Sequence, residues 1–278
     1  MMNKGTVMKI KKLFLSTGIT LCCITQNRLK ADTPYVTNPY QVDGFGSQFQ
    51  NIIAAALYAD LTHQQFVYSP FVSMEHNYDN DSAFLEKKEV FINFIDNFDV
   101  NTGQYPAIRN MSYKPVIDKH PDACAQSAML TKIKTVFRAH KDVDNYFKNN
   151  RYNIVIHVRR PNQTDCRIEG TNTPDQLFLS IIEQLRIQYQ DKNPLFHIHS
   201  QGNTENFKQY QADDVVLHLN KSVEDSFLAM VLADVLVAGA SSFSYTAALL
   251  SDGIVYHIPF WHTPFPHWIS VNDLLKNN

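Results

Sequence analysis

Residues 153–160, with the sequence Asn-Ile-Val-Ile-His-Val-Arg-Arg, join a β-branched apolar run to two adjacent arginines. The apolar run predicts a buried strand of a parallel sheet, because such strands are covered on both faces and are rich in Val and Ile. Arg159 and Arg160 then stand at the carboxyl end of that strand, the edge at which open α/β sheets bind ligands. Guanidinium groups form bidentate contacts with phosphate oxygens and stay charged when partly buried. The alternative interpretation is a pair of surface arginines bound to nearby carboxylates.

Downstream of this stretch, apolar runs of strand length alternate with helical patterns. The predicted strands are residues 154–158, 195–199, 215–219, 235–238 and 253–257, and the predicted helices begin at Pro174, at Val223 and just after Ser241. Strict alternation of strand and helix is typical of a doubly wound parallel sheet. The sequence therefore predicts an α/β fold for this half of the chain.

Size and charge narrow the classes of protein to consider. The chain has 278 residues, of which 44% are hydrophobic, enough for one large or two medium domains. The formal net charge of −2 gives no overall basic field that would attract nucleic acid. We therefore expect no nucleic acid partner.

The amino terminus has the layout of a targeting signal. Four lysines at positions 4, 9, 11 and 12 precede the apolar and small residues 13–24, and Ala31 could close a cleavage site. A poorly ordered basic terminus or an extra strand is the alternative. Targeting would place the protein in the secretory lumen or at a membrane, with membrane contact only through this segment, and a cytoplasmic location stays open.

Cysteine usage predicts neither a disulfide framework nor a metal site. Cys124 and Cys166 are the cysteines outside the amino-terminal segment, and one possible bridge is not a framework. No Cys-x-x-Cys or Cys/His spacing typical of zinc is present in the sequence. We therefore expect no metal.

Polar side chains follow several of the predicted strands in the second half. The strand ends carry Arg159-Arg160, Ser200-Gln201 and Ser241-Ser242. Because the carboxyl ends of parallel strands share one edge of a sheet, these side chains are expected on one rim. Ser241 and Ser242 also open a helix, whose N-terminus favours an anion. The sequence thus predicts a phosphate-containing ligand, with an ordinary N-cap as the alternative for one serine.

A glycine-rich turn occurs in the first half, at residues 43–48, Asp-Gly-Phe-Gly-Ser-Gln. It follows an extended stretch at 34–42 and precedes the alanine-rich helix predicted for residues 52–59. A strand, turn and helix in this order point backbone N–H groups at an anion. The turn departs from the dinucleotide pattern Gly-x-Gly-x-x-Gly, because Phe49 stands at the third glycine position. A tight turn with only a structural role is the alternative.

Together, these segments resemble the motifs of the fucosyltransferase superfamily, which includes α1,2-, α1,6- and protein O-fucosyltransferases. The resemblance lies in the His-x-Arg-Arg pattern at 157–160, the turn at 43–48 and the apolar strand ending in Ser-Ser-Phe at 233–244. It covers the chain from about residue 43 onward, with the three motifs in the expected order. It implies a metal-independent inverting glycosyltransferase of GT-B-like fold, with two facing Rossmann-like domains.

The resemblance also implies a division of the chain. Residues 32–150 would be a Rossmann-like domain on the acceptor side, and residues 151–278 the Rossmann-like domain that holds the nucleotide sugar. Residues 1–31 are expected, from their own layout, to be a leader or flexible segment. The polar run at 148–151, Lys-Asn-Asn-Arg, is the expected boundary.

The family's functional residues map onto matching positions of this sequence. Arg160, together with Arg159, would bind the donor diphosphate and stabilise the leaving group. The expected donor-binding residues are His157, Gly44, Phe45, Gly46, Ser47, Gln48, Ser200, Gln201, Asp225, Ser241, Ser242 and Phe243. Asp225, with Asp234 as the alternative, would pair with guanine. The family's acidic residue after the arginines is displaced here to Asp165, which puts its role in doubt.

An inverting transfer also needs a group that removes the proton of the acceptor hydroxyl. Asp43 is the first candidate, because some protein O-fucosyltransferases carry a catalytic carboxylate at this place. Glu75 and His76 are alternatives, and Asp43 could instead close the turn through its side chain. The aromatic segment 260–268 is expected to cap the carboxyl terminus rather than to stack on a sugar.

The predicted function is transfer of a sugar, with fucose from GDP-fucose as the first choice, to a hydroxyl of a glycan or glycoprotein. A xylosyl- or similar transferase that uses a UDP-sugar is the alternative on the same scaffold. An inactive glycan- or nucleotide-binding module is a further alternative. A Rossmann-type oxidoreductase is disfavoured by the missing third glycine and by the arginine pair.

Overall fold

The computed structural model describes residues 34–105, 108–160 and 173–276. The predicted leader, Cys166 and Asp165 lie outside these ranges. Within them, no helix combines the length and the apolar character needed to cross a bilayer.

The first sheet has four parallel strands. They are β1 (Tyr35–Thr37), β2 (Gln65–Tyr68), β3 (Asp99–Val100) and β4 (Ile108–Asn110), in the order β3-β2-β1-β4. The helices of this half are α1 (Phe45–Thr62), α2 (Phe84–Ile92), α3 (Pro121–Ala125) and α4 (Ala128–Arg138). This half is therefore a parallel α/β layer, as the resemblance implied.

The second sheet has six parallel strands. They are β5 (Tyr152–His157), β6 (Pro194–Ser200), β7 (Val215–Leu219), β8 (Val235–Ala238), β9 (Ile254–His257) and β10 (Ile269–Ser270). The helices are α5 (Asp175–Gln188), α6 (Val223–Leu232), α7 (Ser242–Leu250) and α8 (Val271–Lys276). The sheet order is β10-β9-β8-β5-β6-β7, which is the strand order of a Rossmann fold.

The predicted α/β fold with two facing Rossmann-like halves is confirmed. Strand β5 lies in the middle of the second sheet between β6 and β8, and its residues from Asn153 to Ile156 are buried, as the apolar run predicted. Strand β10 was not predicted, because two residues are too few to carry a periodic pattern. Both sheets lie within one compact unit, Ala31–Asn278.

Helix α1 begins earlier than expected, at Phe45 instead of after the glycine-rich turn. Phe45 and Phe49 lie one helical turn apart, and both are buried against Phe227 of α6, with ring centroids 5.2 and 5.9 Å away. Burial of the two rings stabilises a helix through residues that local propensity assigns to a turn. Gly46, Ser47 and Gln48 therefore belong to the first turn of a helix rather than to a loop.

An aromatic cluster joins the two halves of the molecule. Phe227 of α6 contacts Phe91 of α2, Phe137 of α4 and Phe243 of α7, in addition to the two rings of α1. This shared core holds the start of α1 beside the start of α7, and Thr246 donates its hydroxyl to the Gly46 carbonyl oxygen at 2.8 Å.

Candidate functional site

Strands β5 and β8 are neighbours at the point where the order of the second sheet reverses. In open α/β sheets, the crevice at such a point is the usual ligand site. The loop after β5 carries Arg159, and the loop after β8 carries Ser241. The Arg159 guanidinium donates a hydrogen bond to the Ser241 hydroxyl oxygen over 3.3 Å, so the two predicted motifs meet in the structure.

A cleft with a volume of about 1500 Å³ opens at this point and is lined by residues of both halves. Its wall includes most of the residues predicted from the sequence: Asp43, Gly44, Phe45, Gly46, Ser47, His157, Arg159, Arg160, Ser200, Gln201, Ser241, Ser242 and Phe243. The volume is sufficient for a ligand the size of a sugar nucleotide.

The two adjacent arginines have different partners. Arg160 forms an ion pair with Asp175, the first residue of α5, and lies 5.4 Å from the Phe207 ring centroid. Tyr210 also donates its hydroxyl to Asp175. Arg159 is therefore the arginine that contacts the start of α7. Arg160 lines the same cleft but is paired with the first residue of α5.

The start of α7 combines a helix cap with a ligand-facing surface. Ser241 is the N-cap residue, and its hydroxyl oxygen accepts the Phe243 N–H at 3.2 Å. The N-cap interpretation is thus correct for Ser241, and the same oxygen also accepts from Arg159. The neighbouring Ser242 lines the cleft, and its Oγ atom is hydrogen-bonded to His262 Nε2 at 2.9 Å. The helix dipole and the guanidinium together make this end of the cleft favourable for an anion.

Two predicted donor-binding residues lie outside the cleft. Gln48 is buried, and its amide donates to the carbonyl oxygens of Asp43 at 2.6 Å and Ser73 at 2.9 Å, so it holds the turn in place. Asp225 is exposed on the first turn of α6, where its N–H donates to the cap residue Ser222. Helical spacing turns Asp225 away from the cleft, and the preceding Glu224 lines it instead.

The alternative guanine-pairing residue also has a structural partner. One carboxylate oxygen of Asp234 accepts the backbone N–H of Asn153 at 2.7 Å. This bond lies at the amino-terminal edge of β5 and β8, opposite the edge at which the cleft opens.

The base candidates differ in their surroundings. The Asp43 Oδ1 atom is buried at the cleft wall and has no hydrogen-bond partner among the residues that the structure describes. Glu75 is half exposed and lies 4.0 Å from the His76 ring. The His76 Nδ1 atom in turn lies 2.7 Å from the Tyr78 hydroxyl. A buried carboxylate oxygen is costly to leave without a hydrogen bond. Asp43 is therefore the candidate best placed to accept a hydrogen bond from a ligand hydroxyl.

Neutral histidines lie beside the arginines. Burial, with the Arg159 charge as the second cause, lowers the pKa of His157 to about 3. Burial and the neighbouring His218 lower the pKa of His199, which also lines the cleft, to about 3. Sequence analysis did not single out His199, although its period-two spacing from His197 on β6 indicated a shared face. At neutral pH both imidazoles are uncharged, so the arginines carry the positive charge here.

A buried ion pair across the base of the cleft was also missed. Lys88 of α2 is 2% exposed and donates to the Glu224 carboxylate of α6. Its ammonium also lies 4.0 Å from the Phe84 ring centroid. The two partners are 136 residues apart, so no local pattern could reveal the pair.

Within the described ranges, no group of three or more His, Cys, Asp or Glu side chains is placed so that it could hold a metal ion.

No protein-family model and no curated protein matches this sequence. Among solved structures, the chain is similar to the fucosyltransferase NodZ from Bradyrhizobium, with 13% identity and a TM-score of 0.44 over 80% of this chain and 94% of that one. It is also similar to POFUT1 in complex with GDP, with 14% identity and a TM-score of 0.39 over 81% and 96% of the chains. A third similar structure is the E. coli heptosyltransferase WaaC with ADP, with 11% identity and a TM-score of 0.40 over 87% and 96%.

Fucosyltransferases are thus among the solved structures that this chain is similar to.

Proposed function

We propose that the protein is a metal-independent inverting glycosyltransferase that uses a nucleoside-diphosphate sugar as its donor. The contact between Arg159 and Ser241 carries this proposal, because it combines a fixed positive charge with a helix N-terminus at the ligand crevice of a Rossmann-like sheet. GDP-fucose is the first donor to test, since the motifs that supply these two residues resemble those of fucosyltransferases. A UDP-sugar is the alternative donor.

The arrangement supports stabilisation of a diphosphate leaving group. In the proposed reaction, the acceptor oxygen attacks the anomeric carbon while the bond from that carbon to the diphosphate oxygen breaks. The electron pair of the broken bond leaves with the nucleoside diphosphate. Arg159, Arg160 and the N–H groups at the start of α7 would stabilise the negative charge that develops, in a site partly screened from water. His157 and Phe243, whose ring centroids are 5.6 Å apart, would line the same pocket.

The proton of the acceptor hydroxyl needs a base on the opposite wall. We assign this role to Asp43, whose buried Oδ1 atom has no hydrogen-bond partner among the described residues. The acceptor would then approach from the half that contains α1 and α2 and would be a glycan or glycoprotein hydroxyl. Glu75 and His76 line the same wall and are the rival candidates.

A panel of ligands tests the donor class. Thermal unfolding would be followed with GDP, UDP and NAD, since a ligand at 100 times its Kd stabilises by about 2.7 kcal/mol. Stabilisation by GDP or UDP supports the proposal and identifies the nucleotide, whereas stabilisation by NAD alone overturns it.

Release of the nucleoside diphosphate from the matching sugar nucleotide, with glycans and glycoproteins as acceptors, then tests turnover. Tight nucleotide binding without turnover on any acceptor would indicate a binding module instead of an enzyme.

A further inference from the structure

At the start of α7, the side chains of Ser242, His262 and Gln50 form a hydrogen-bond network that runs from the cleft into the interior. Ser242 Oγ lies 2.9 Å from His262 Nε2, and His262 Nδ1 lies 3.3 Å from Gln50 Nε2. Gln50 belongs to α1 and is fully buried, and His262 lies in the segment after β9 and is 5% exposed. Only Ser242 reaches the cleft.

The amide of Gln50 determines which imidazole nitrogen carries the proton. In the orientation that the structure gives this amide, its N–H group faces Nδ1. Nδ1 then accepts, and the ring proton lies on Nε2. In this orientation, Gln50 Oε1 is the buried atom without a hydrogen-bond partner among the described residues. Turning the amide over would pair Oε1 with the ring but leave both N–H groups of the buried amide without an acceptor in the part of the chain that the structure describes. His262 therefore donates through Nε2 to the Ser242 oxygen.

Aromatic rings enclose His262 and keep it neutral. Tyr113 and Tyr245 each have ring centroids 4.6 Å from the imidazole, and Phe260 lies at 4.8 Å. Burial, with the Lys114 charge as a second cause, lowers the pKa of His262 to about 4. Near neutral pH the imidazole is thus uncharged, with one nitrogen that donates a hydrogen bond and one that accepts.

A serine hydroxyl has one hydrogen to donate, and here its oxygen already receives one from His262. The Ser242 hydrogen is then available to another acceptor, and Ser242 lines the cleft. We propose that Gln50 and His262 are positioning residues that orient Ser242 as a hydrogen-bond donor to the diphosphate of the donor nucleotide. This inference rests on the proposed function. Since Gln50 lies on α1, the acceptor-side half would thereby help to set a donor contact.

A double-mutant cycle, measured as nucleoside-diphosphate affinity, tests whether His262 acts through Ser242. Ser242→Ala removes the donated hydrogen, and His262→Phe keeps the ring volume without the nitrogens. The ligand is GDP or UDP, whichever binds the wild type. Each substitution is expected to lower the affinity for it by about tenfold or more, because hydrogen bonds to charged groups are the stronger ones. The double variant should bind no more weakly than Ser242→Ala alone, because His262 acts through Ser242. His267→Phe, an exposed histidine of the same segment, is the matched control and should bind like the wild type.

Rescue and specificity separate positioning from mere packing. His262→Gln places an N–H near the former Nε2 and should recover most of the affinity that His262→Phe loses. None of these variants should change binding of the nucleoside without phosphates. Two results would overturn the inference and leave the proposed function standing. One is an equal loss of affinity for the nucleoside and the nucleoside diphosphate, and the other is a loss of affinity in the double variant that equals the sum of the single losses. A wild type that binds neither GDP nor UDP would overturn both.

The imidazole tautomer gives a readout that needs no ligand. In a nitrogen-15 NMR spectrum, His262 should show a protonated Nε2 and a bare Nδ1 in the wild type. Gln50→Glu puts a carboxylate, which can only accept, beside Nδ1 and should move the proton there. A wild-type ring protonated on Nδ1 would contradict the assignment.

Discussion

A side-chain carbon on Gly46 would collide with the backbone of Phe243, so a glycine is required for α1 and α7 to begin side by side. Thr246 adds a hydrogen bond from α7 to the Gly46 carbonyl oxygen. Because both helices start at the cleft, the partial positive charges of two helix N-termini face the same space. The glycine-rich motif therefore acts in this structure through close helix packing, and it also forms part of the cleft wall.

We expect Gly46→Ala to separate the two helix starts. The added methyl group meets backbone atoms that cannot move aside, so the free energy of unfolding should fall by about 1–3 kcal/mol. Urea unfolding measures this loss, and Ser47→Ala in the same turn is the control, expected to change stability little. Equal stability of the two variants would show that the helices part without cost.

The two arginines should respond differently to substitution. Arg159→Gln should reduce nucleoside-diphosphate affinity by about tenfold or more, since the guanidinium beside Ser241 is removed from the anion site. Arg160→Gln breaks the ion pair with Asp175 and should lower the melting temperature more than Arg159→Gln does. Calorimetric titration and thermal unfolding of both variants check this order. The reverse order for affinity would make Arg160 the main diphosphate ligand.

Asp43→Asn is expected to reduce turnover without weakening donor binding. An amide of the same shape cannot take the acceptor proton, and loss of a general base costs about 10²–10⁴ in rate. Single-turnover kinetics at saturating donor measures the effect. Glu75→Gln on the same wall is the matched variant, and a larger loss there would transfer the role to Glu75.

Removing one partner of the buried Lys88–Glu224 pair should be costly. Glu224→Gln leaves the Lys88 ammonium buried without its carboxylate and should destabilise the fold by about 3 kcal/mol. Adding Lys88→Met should recover much of this loss, because no charge is then buried. Lys87→Met breaks the exposed pair with Asp81 and should change the free energy of unfolding little in the same urea experiment, because solvent screens such pairs.

Stability should fall in mild acid because several histidines resist protonation in the folded state. Burial is the main cause that lowers the pKa of His157 and His199 to about 3 and of His197 to about 4. The unfolded chain takes up these protons near its ordinary pKa of about 6.5, so stability is complete above that pH and is lost as the pH falls below it. Each such group contributes up to about 1.4 kcal/mol per pH unit. Unfolding at about pH 7 and about pH 5 measures the loss, which should be smaller in His199→Asn.

Local sequence pattern was enough to predict much of the fold and one rim of the cleft. The β-branched run of β5 and the alternation of strands and helices follow from side-chain periodicity, which neighbouring residues encode. The shared rim for the loops after β5 and β8 follows from parallel strand direction alone, whatever the order of the strands. The N-cap at Ser241 is equally local.

Other features depend on contacts between residues far apart in the chain. The placement of β5 beside β8 brings Arg159 to Ser241, and Asp175 holds Arg160 against α5. Likewise, α1 starts at Phe45 because its rings are buried against α6, and Gln50 meets His262 across 212 residues. Such contacts are absent from any short stretch of sequence, because close packing between whole elements selects which side chains meet.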